Sequence, residues 1–96
     1  MKYTYILTIS DEKEYNPDKL KEKIDLAVDW VKIVPNVYLL LSTSDLNKWY
    51  SRLKEVLNDN RFFIAPVDIG FKQCSGWLYE KTWNKISEFR HKKDEK

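Results

Sequence analysis

The spacing of apolar residues changes period along the chain, and these changes predict the order of its secondary structure. Apolar and polar residues alternate over residues 2–10, which is the period of a half-buried strand. Helical spacing follows over 17–31 and again over 45–57, with a β-rich stretch between them and another strand over 61–69. The order β-α-β-β-α-β predicts an α+β, ferredoxin-like domain, in which a four-stranded antiparallel sheet carries the helices on one face.

Both predicted helices have a start signal and one apolar stripe. Asn16 is a capping residue before Pro17, which suits the first helical position, and Thr43 or Ser44 caps the second helix. The stripe of the first helix consists of Leu20, Ile24, Ala27, Val28 and Val31. The stripe of the second helix consists of Leu46, Trp49, Tyr50, Leu53, Val56 and Leu57. We expect Trp49 to lie in the core.

The β-rich middle and the C-terminal part complete the predicted domain. Two strands, 30–34 and 37–43, are separated by a proline and an asparagine, and the second is apolar on both faces, so it is expected at the centre of the sheet. Pro66 cannot donate a ladder hydrogen bond, so the strand that holds it is expected at an edge. A short terminal helix over 78–89 ends a single domain of residues 1–90, followed by a charged tail at 91–96.

Composition makes an interface or ligand platform more plausible than a dedicated nucleic-acid binder. Ninety-six residues with 43% apolar content give one modest core, yet they include four Trp and six Tyr. Some of these rings must approach the surface. The net charge is only +2, whereas dedicated nucleic-acid binders usually carry a larger basic excess.

Cysteine usage and hydropathy predict a cytoplasmic protein with no membrane partner. Cys74 is the only cysteine and cannot form an internal disulfide, which is typical of a reducing compartment. The N-terminal residues run directly into a strand and do not fit a signal peptide. The longest apolar run, 37–41, is far too short to span a bilayer.

Carboxylates near the strand ends are the best candidates for metal-dependent chemistry. Asp11, with Glu12 beside it, follows the first strand, and Asp68 lies at the end of the fourth. Carboxylates that converge on Mg²⁺ or Mn²⁺ are needed for metal-dependent phosphodiester cleavage. The first and fourth strands are antiparallel neighbours in the predicted sheet, so Asp11 and Asp68 are not expected to share a site within one copy. A site built on Asp11 as catalytic and metal-binding residue in a symmetric dimer remains open.

Other chemistries have little support in the sequence. Cys74 has no histidine near it in sequence, because the single histidine, His91, lies in the charged tail. No glycine-rich phosphate motif is present, and no other cofactor is expected. Base stacking on the open sheet face would use Tyr3, Tyr5 and Tyr38, but the basic and aromatic signature of such proteins is absent, so these rings are interpreted as core.

The first predicted helix is followed by Asp29-Trp-Val-Lys-Ile-Val34 and by Val37-Tyr-Leu-Leu-Leu41. Further along, Asp45-Leu-Asn starts the second helix, an Asn/Asp turn leads into Arg61-Phe-Phe-Ile-Ala-Pro-Val, and Gly76-Trp-Leu precedes a helix with Trp83. In these features nearly the whole chain resembles the SinR-like small proteins. These proteins belong with the small CRISPR adaptation nuclease-like and VapD-like proteins. The resemblance implies a ferredoxin-like fold and a homodimer, and some members act on RNA or DNA. In that broader group an acidic residue ends strand one; here Ser10 stands at the matching position and Asp11 follows.

Two functional hypotheses follow. The first is a small, non-enzymatic homodimeric module that binds protein or nucleic acid, with Phe62, Ile64 and Trp77 as interface residues; an inhibitor of a host-defence complex, encoded by a mobile element, fits this class. Its exposed edge strand and sparsely covered sheet face both invite pairing. The second is a metal-dependent endonuclease that acts on RNA or DNA through Asp11.

Overall fold

Seven secondary-structure elements make up the part of the chain that the structure describes. The computed structural model describes residues 1–57, 59–70 and 73–94. The elements are, in chain order, β1 (Tyr3–Ile9), α1 (Pro17–Ile24), β2 (Asp29–Val34), β3 (Val37–Ser42), α2 (Leu46–Val56), β4 (Phe62–Pro66) and α3 (Glu80–Asp94). The predicted α+β, ferredoxin-like arrangement is confirmed.

The four strands form one antiparallel sheet in the order β2-β3-β1-β4. Tyr5 of β1 lies opposite Leu40 of β3 on one side and opposite Pro66 of β4 on the other. The prediction of a central β3 and an edge β4 is therefore confirmed. Burial on both faces explains the apolar run of β3, and an edge position is where a proline costs no ladder hydrogen bond.

One face of the sheet packs against α1 and α2 and forms the larger core. Trp49 of α2 is 0% exposed, and its indole Nε1 donates to the Ser42 hydroxyl at 2.9 Å. The hydroxyl partner satisfies the only polar atom of the ring, so the whole indole is buried without an unpaired donor. The buried members of this core are Tyr5, Leu7, Ile9, Leu20, Ile24, Tyr38, Leu40, Trp49, Leu53 and Leu57.

The opposite face, which we expected to be sparsely covered, is partly covered by α3, so the helices are not all on one face. Leu39 and Leu41 of β3 pack there with Ile69 and with Ile86 and Phe89 of α3. Because β3 is apolar on both sides, its second face needed a cover, and the terminal helix supplies it within the same chain. Thr8 and Phe63, on the β1–β4 part of that face, keep more exposure.

The first helix ends earlier than its pattern predicted. The prediction that helical spacing holds through Val31 is wrong, because α1 ends at Ile24, a turn follows, and Val31 lies in β2. The Val28 amide already donates to the Leu41 carbonyl of β3 at 2.7 Å. Valine has a higher propensity for strands than for helices, and here a neighbouring strand is available for pairing. Pairing with β3 therefore overrides the helical spacing of the apolar residues after Ile24.

The last helix is longer than predicted and includes most of the expected tail. It runs from Glu80 to Asp94, so residues 91–94 are helical, whereas residues 95–96 lie outside the described residues. Lys92, expected in a solvated tail, instead forms an ion pair with Asp29 of β2 at 2.6 Å.

A nearly buried carboxylate joins α3 to the outer strand. The Asp29 side chain is 15% exposed and accepts from Lys92 at 2.6 Å and from Lys85 at 2.9 Å, while Lys2 donates to the Lys92 carbonyl at 2.7 Å. Burial on its own would raise the pKa of Asp29, but the hydrogen bonds from Lys92 and Lys85 outweigh it and hold the pKa below its usual range.

Asn60 fixes the chain just before β4. Its side-chain amide donates to the carbonyls of Lys13 and Leu57, and its Oδ1 accepts from the Lys13 amide, all at 2.8 Å. Asp59, one residue earlier, has φ of 65°, a conformation that Asp tolerates better than most residues. The turn therefore ties the start of β4 to the loop that follows β1.

Replacing Trp49 by Ala should destabilise the protein by roughly 3–5 kcal/mol, because the change leaves a large cavity and removes the hydrogen bond from the indole to the Ser42 hydroxyl. Urea unfolding followed by circular dichroism measures this free energy. A midpoint within error of the wild type would show that the ring is not part of the core.

Replacing Asp29 by Asn should lower the free energy of unfolding by about 1–2 kcal/mol at neutral pH. The folded-state pKa of Asp29 is depressed, so its contribution is present above the unfolded pKa of about 4 and is lost as pH falls through the folded value. The difference between the two proteins should therefore disappear near pH 2. Glu88→Gln, which removes an exposed carboxylate next to Lys85, is the matched control and should change stability less. If Asp29→Asn lowered the free energy of unfolding equally at all pH values, the explanation by ion pairs of Asp29 would be contradicted.

Candidate interaction surface

The outer edge of β4 is the best candidate for a functional surface. Within the sheet β4 pairs only with β1, and the pairing places Phe63 opposite Thr8 and Ile64 opposite Leu7. The opposite side of β4 is therefore a strand edge, which is a template for another strand.

The hydrogen-bond phase of β4 decides which backbone groups face outward. The Ser10 amide donates to the Arg61 carbonyl at 2.8 Å, and the Val67 amide donates to the Thr4 carbonyl at 2.9 Å. Hydrogen-bonded pairs alternate along an antiparallel ladder, so Phe63, which lies two residues after Arg61, also directs its backbone to β1.

The intervening residues of β4 direct their backbone away from the sheet. They are Phe62, Ile64 and Pro66, which lie opposite non-hydrogen-bonded positions of β1. Phe62 and Ile64 each present an N–H and a C=O at the edge, and Pro66 presents a carbonyl alone. The free edge thus offers two complete residues for strand pairing and then ends.

Apolar side chains flank this edge on the helix face. Phe62 and Ile64 are half-buried against the core, and the Tyr50 ring of α2 lies 5.6 Å from the Phe62 ring. Tyr50 is 54% exposed and Leu46 is 38% exposed. A shallow groove of about 280 Å³ is lined by Leu46, Asn47, Tyr50, Phe62, Phe63 and Ile64.

Phe63 is the main apolar group on the other face of the edge. Its side chain is 64% exposed and lies beside Thr8, in a second groove of about 420 Å³ lined by Thr8, Ile9, Ser10, Arg61, Phe62 and Phe63. Arg61 closes one end of this groove and donates from Nε to Glu12 at 2.6 Å. An exposed pair of this kind adds little stability, so its main effect is to make that end of the surface polar.

The predicted interface residues are divided by the structure. Phe62 and Ile64 lie together at the β4 edge, whereas Trp77 lies in the segment before α3 and is fully exposed. Sequence reasoning missed Phe63, Tyr50 and Leu46 as surface residues. For Tyr50 and Leu46 there was a signal in the width of the α2 stripe, whose six apolar residues exceed what one helix face buries.

Asp11 is exposed in the loop after β1, and its neighbour Glu12 is already bound by Arg61. Asp68 follows β4 and lies opposite the start of β1 by register, about 25 Å of strand away from Asp11. Across residues 1–57, 59–70 and 73–94 no three His, Cys, Asp or Glu side chains are grouped to hold a metal ion. The described donors of one copy are therefore not grouped to hold Mg²⁺ or Mn²⁺, and a site shared between copies stays a prediction.

The tyrosines considered for base stacking belong mostly to the core. Tyr5 and Tyr38 are buried on the helix face, and the Tyr5 hydroxyl donates to the Ser44 carbonyl at 2.9 Å. Burial raises the pKa of both phenols. Tyr3 is 36% exposed, so its interpretation as a core residue is wrong, although its ring stacks on that of Tyr5 with 5.9 Å between the centroids.

Comparisons with protein-family models, curated proteins and solved structures found no match for this chain. The resemblance to the SinR-like proteins therefore stays a prediction. Within the part of the chain that the structure describes, no helix has the length and apolar character of a membrane span.

We expect purified protein to leave labelled RNA and DNA intact in the presence of Mg²⁺ or Mn²⁺, because no group of three metal-ligating side chains includes Asp11 among the residues that the structure describes. The assay is gel analysis of labelled strands, run beside Asp11→Ala. Metal-dependent cleavage that this substitution abolishes would establish the endonuclease alternative instead.

Proposed function

We propose that this chain is a non-enzymatic interaction module that works as a homodimer joined through β4. The observation that carries the proposal is the outward-facing backbone of Phe62 and Ile64, set between exposed apolar side chains on both faces. A strand edge with complete donors and acceptors gains hydrogen bonds from a partner strand, and the apolar flanks gain burial.

The backbone donors and acceptors at the β4 edge favour one register for pairing between two copies. In an antiparallel pair centred on Phe63, Phe62 of each copy lies opposite Ile64 of the other, and the two residues exchange N–H and C=O groups in both directions. A pair centred on Ile64 would place Phe62 opposite Pro66, which has no N–H to donate to the Phe62 carbonyl. A pair centred on Phe62 would need the Asn60 amide, which already donates to Leu57.

The Phe63-centred register also buries the exposed rings. The two copies of Phe63 face each other at a non-hydrogen-bonded position, where side chains approach closely. On the helix face, Tyr50 and Leu46 of each copy flank the joined strands and lose solvent exposure together. The joined sheets would form one continuous eight-stranded layer with both β4 edges paired.

The proposed biological role of the dimer rests on the sequence. A homodimer of this fold is what the SinR-like resemblance implies, and a mobile-element inhibitor of a host-defence complex is one role within this class. The single cysteine supports a cytoplasmic location. Neither the homodimer nor the inhibitor role requires catalysis.

Light scattering after size exclusion, at tens of micromolar, should give twice the 11.6 kDa chain mass for the wild type. Phe63→Lys should weaken the dimer at least about tenfold, because it places two like charges opposite each other in the proposed pair. The side chain is 64% exposed, so the monomer should stay folded.

Leu26→Lys is the matched control, since Leu26 is 57% exposed and lies in the turn before β2, at the other edge of the sheet. This variant should remain a dimer. A monomeric wild type would overturn the homodimer, and a Phe63→Lys protein that dimerises as tightly as the wild type would overturn the β4 interface.

A further inference from the structure

A groove lined by lysines lies at the sheet edge opposite β4. It runs between the outer strand β2 and the first turns of α3 and has a volume of about 300 Å³. Its lining residues, which define the β2–α3 groove, are Trp30, Val31, Lys32, Lys81, Thr82 and Lys85. The proposed dimer does not use this surface.

The lysines of the β2–α3 groove differ in how their charge is balanced. Lys85 pairs with Asp29 at 2.9 Å and with Glu88 at 3.4 Å, and Asp29 is shared with Lys92. Lys32 and Lys81 are exposed, and neither forms an ion pair with another residue that the structure describes.

The balance of charge at the groove is positive. Glu80 adds one exposed carboxylate in the first turn of α3, beside Lys81. The three lysines of the groove and Lys92 together lie near three carboxylates, which leaves an excess of one positive charge, and the two lysines without an ion pair, Lys32 and Lys81, are exposed. An anionic ligand is complementary to this surface.

Two exposed aromatic rings lie in the segment that leads into α3, and one of them contacts a groove lysine. Trp77 is 101% exposed and Tyr79 is 78% exposed, in the segment that leads into α3. The Lys81 ammonium lies 6.0 Å from the centroid of the Tyr79 ring, so the ring and a groove lysine share one surface. Exposed rings together with basic side chains are the combination that binds unpaired bases and their phosphates.

We propose that the β2–α3 groove binds single-stranded nucleic acid, with Lys32 and Lys81 contacting backbone phosphates and Trp77 and Tyr79 stacking on bases. An acidic protein segment would satisfy the lysines but would leave the flat faces of two exposed rings unmatched. Duplex bases are already stacked on one another, so only a single strand offers both groups. This inference names a ligand for the interaction module and rests on a different surface from the dimer.

Fluorescence anisotropy with labelled oligo-U and oligo-dT of about 12 nucleotides tests the site at about 50 mM salt. The double variant Lys32→Gln/Lys81→Gln should bind about tenfold more weakly, and the slope of log K against log salt should fall by roughly 1.4, because two phosphate contacts are lost. Trp77→Ala should also weaken binding about tenfold while leaving the salt slope unchanged.

Lys19→Gln/Lys48→Gln is the matched control, because it removes the same charge from exposed positions on α1 and α2. It should bind within about twofold of the wild type. All four side chains are exposed, and circular dichroism checks that each variant folds. Light scattering of the same samples shows whether each variant is still a dimer. If a variant loses nucleic-acid binding but remains a dimer, the substitution has affected the β2–α3 groove and not the dimer interface.

Three results would overturn the proposal. The first is the absence of binding by the wild type at low salt. The second is an equal loss in the control variant, which would indicate unspecific attraction. The third is binding of duplex DNA or polyglutamate as tightly as the single strands, together with no effect of Trp77→Ala, which would assign the groove to another polyanion.

Discussion

The pairing of β1 with a strand on each side is the constraint on which the rest of the structure depends. Its register with β4, fixed by the Ser10–Arg61 and Val67–Thr4 hydrogen bonds, sets the phase of every backbone group in the edge strand. A shift of one residue would direct Phe63 instead of Phe62 and Ile64 to the free edge and would reverse the faces of their side chains. The register between β1 and β4 therefore determines which backbone groups and side chains the candidate surface presents.

The two faces of the sheet are covered by different means, and this divides the surface. Helices α1 and α2 seal one face around Trp49, while α3 covers the β2–β3 part of the other and is held there by the Asp29 ion pairs as well as by Phe89. Because α3 sits toward β2, its lysines meet the β2 edge, and the β1–β4 side keeps Phe63 exposed. The position of α3 near β2 thus leaves an apolar edge at β4 and a basic edge at β2, on opposite sides of one sheet.

Much of the fold was predictable because its signals are local. The alternation in β1, the Asn16 cap before Pro17 and the position of Pro66 each report a backbone requirement that the residue itself carries. The end of α1 was not predictable, since Leu20 to Val31 keep helical spacing and only the β2–β3 ladder ends the helix. Phe62 and Ile64 could be predicted as edge residues, whereas Tyr50 and Leu46 reach the same surface only through the packing of α2.

The sequence by itself determined the element order, the central β3 and the edge position of β4, because hydrophobic period and proline chemistry act over a few neighbouring residues. Tertiary structure alone decided that α3 covers the second sheet face and that Lys92 pairs with Asp29, 63 residues away in the chain. It also decided that Lys32 of β2 meets Lys81 of α3 in one groove. Contacts between distant segments depend on how whole elements fill shared space, and no local pattern encodes that choice.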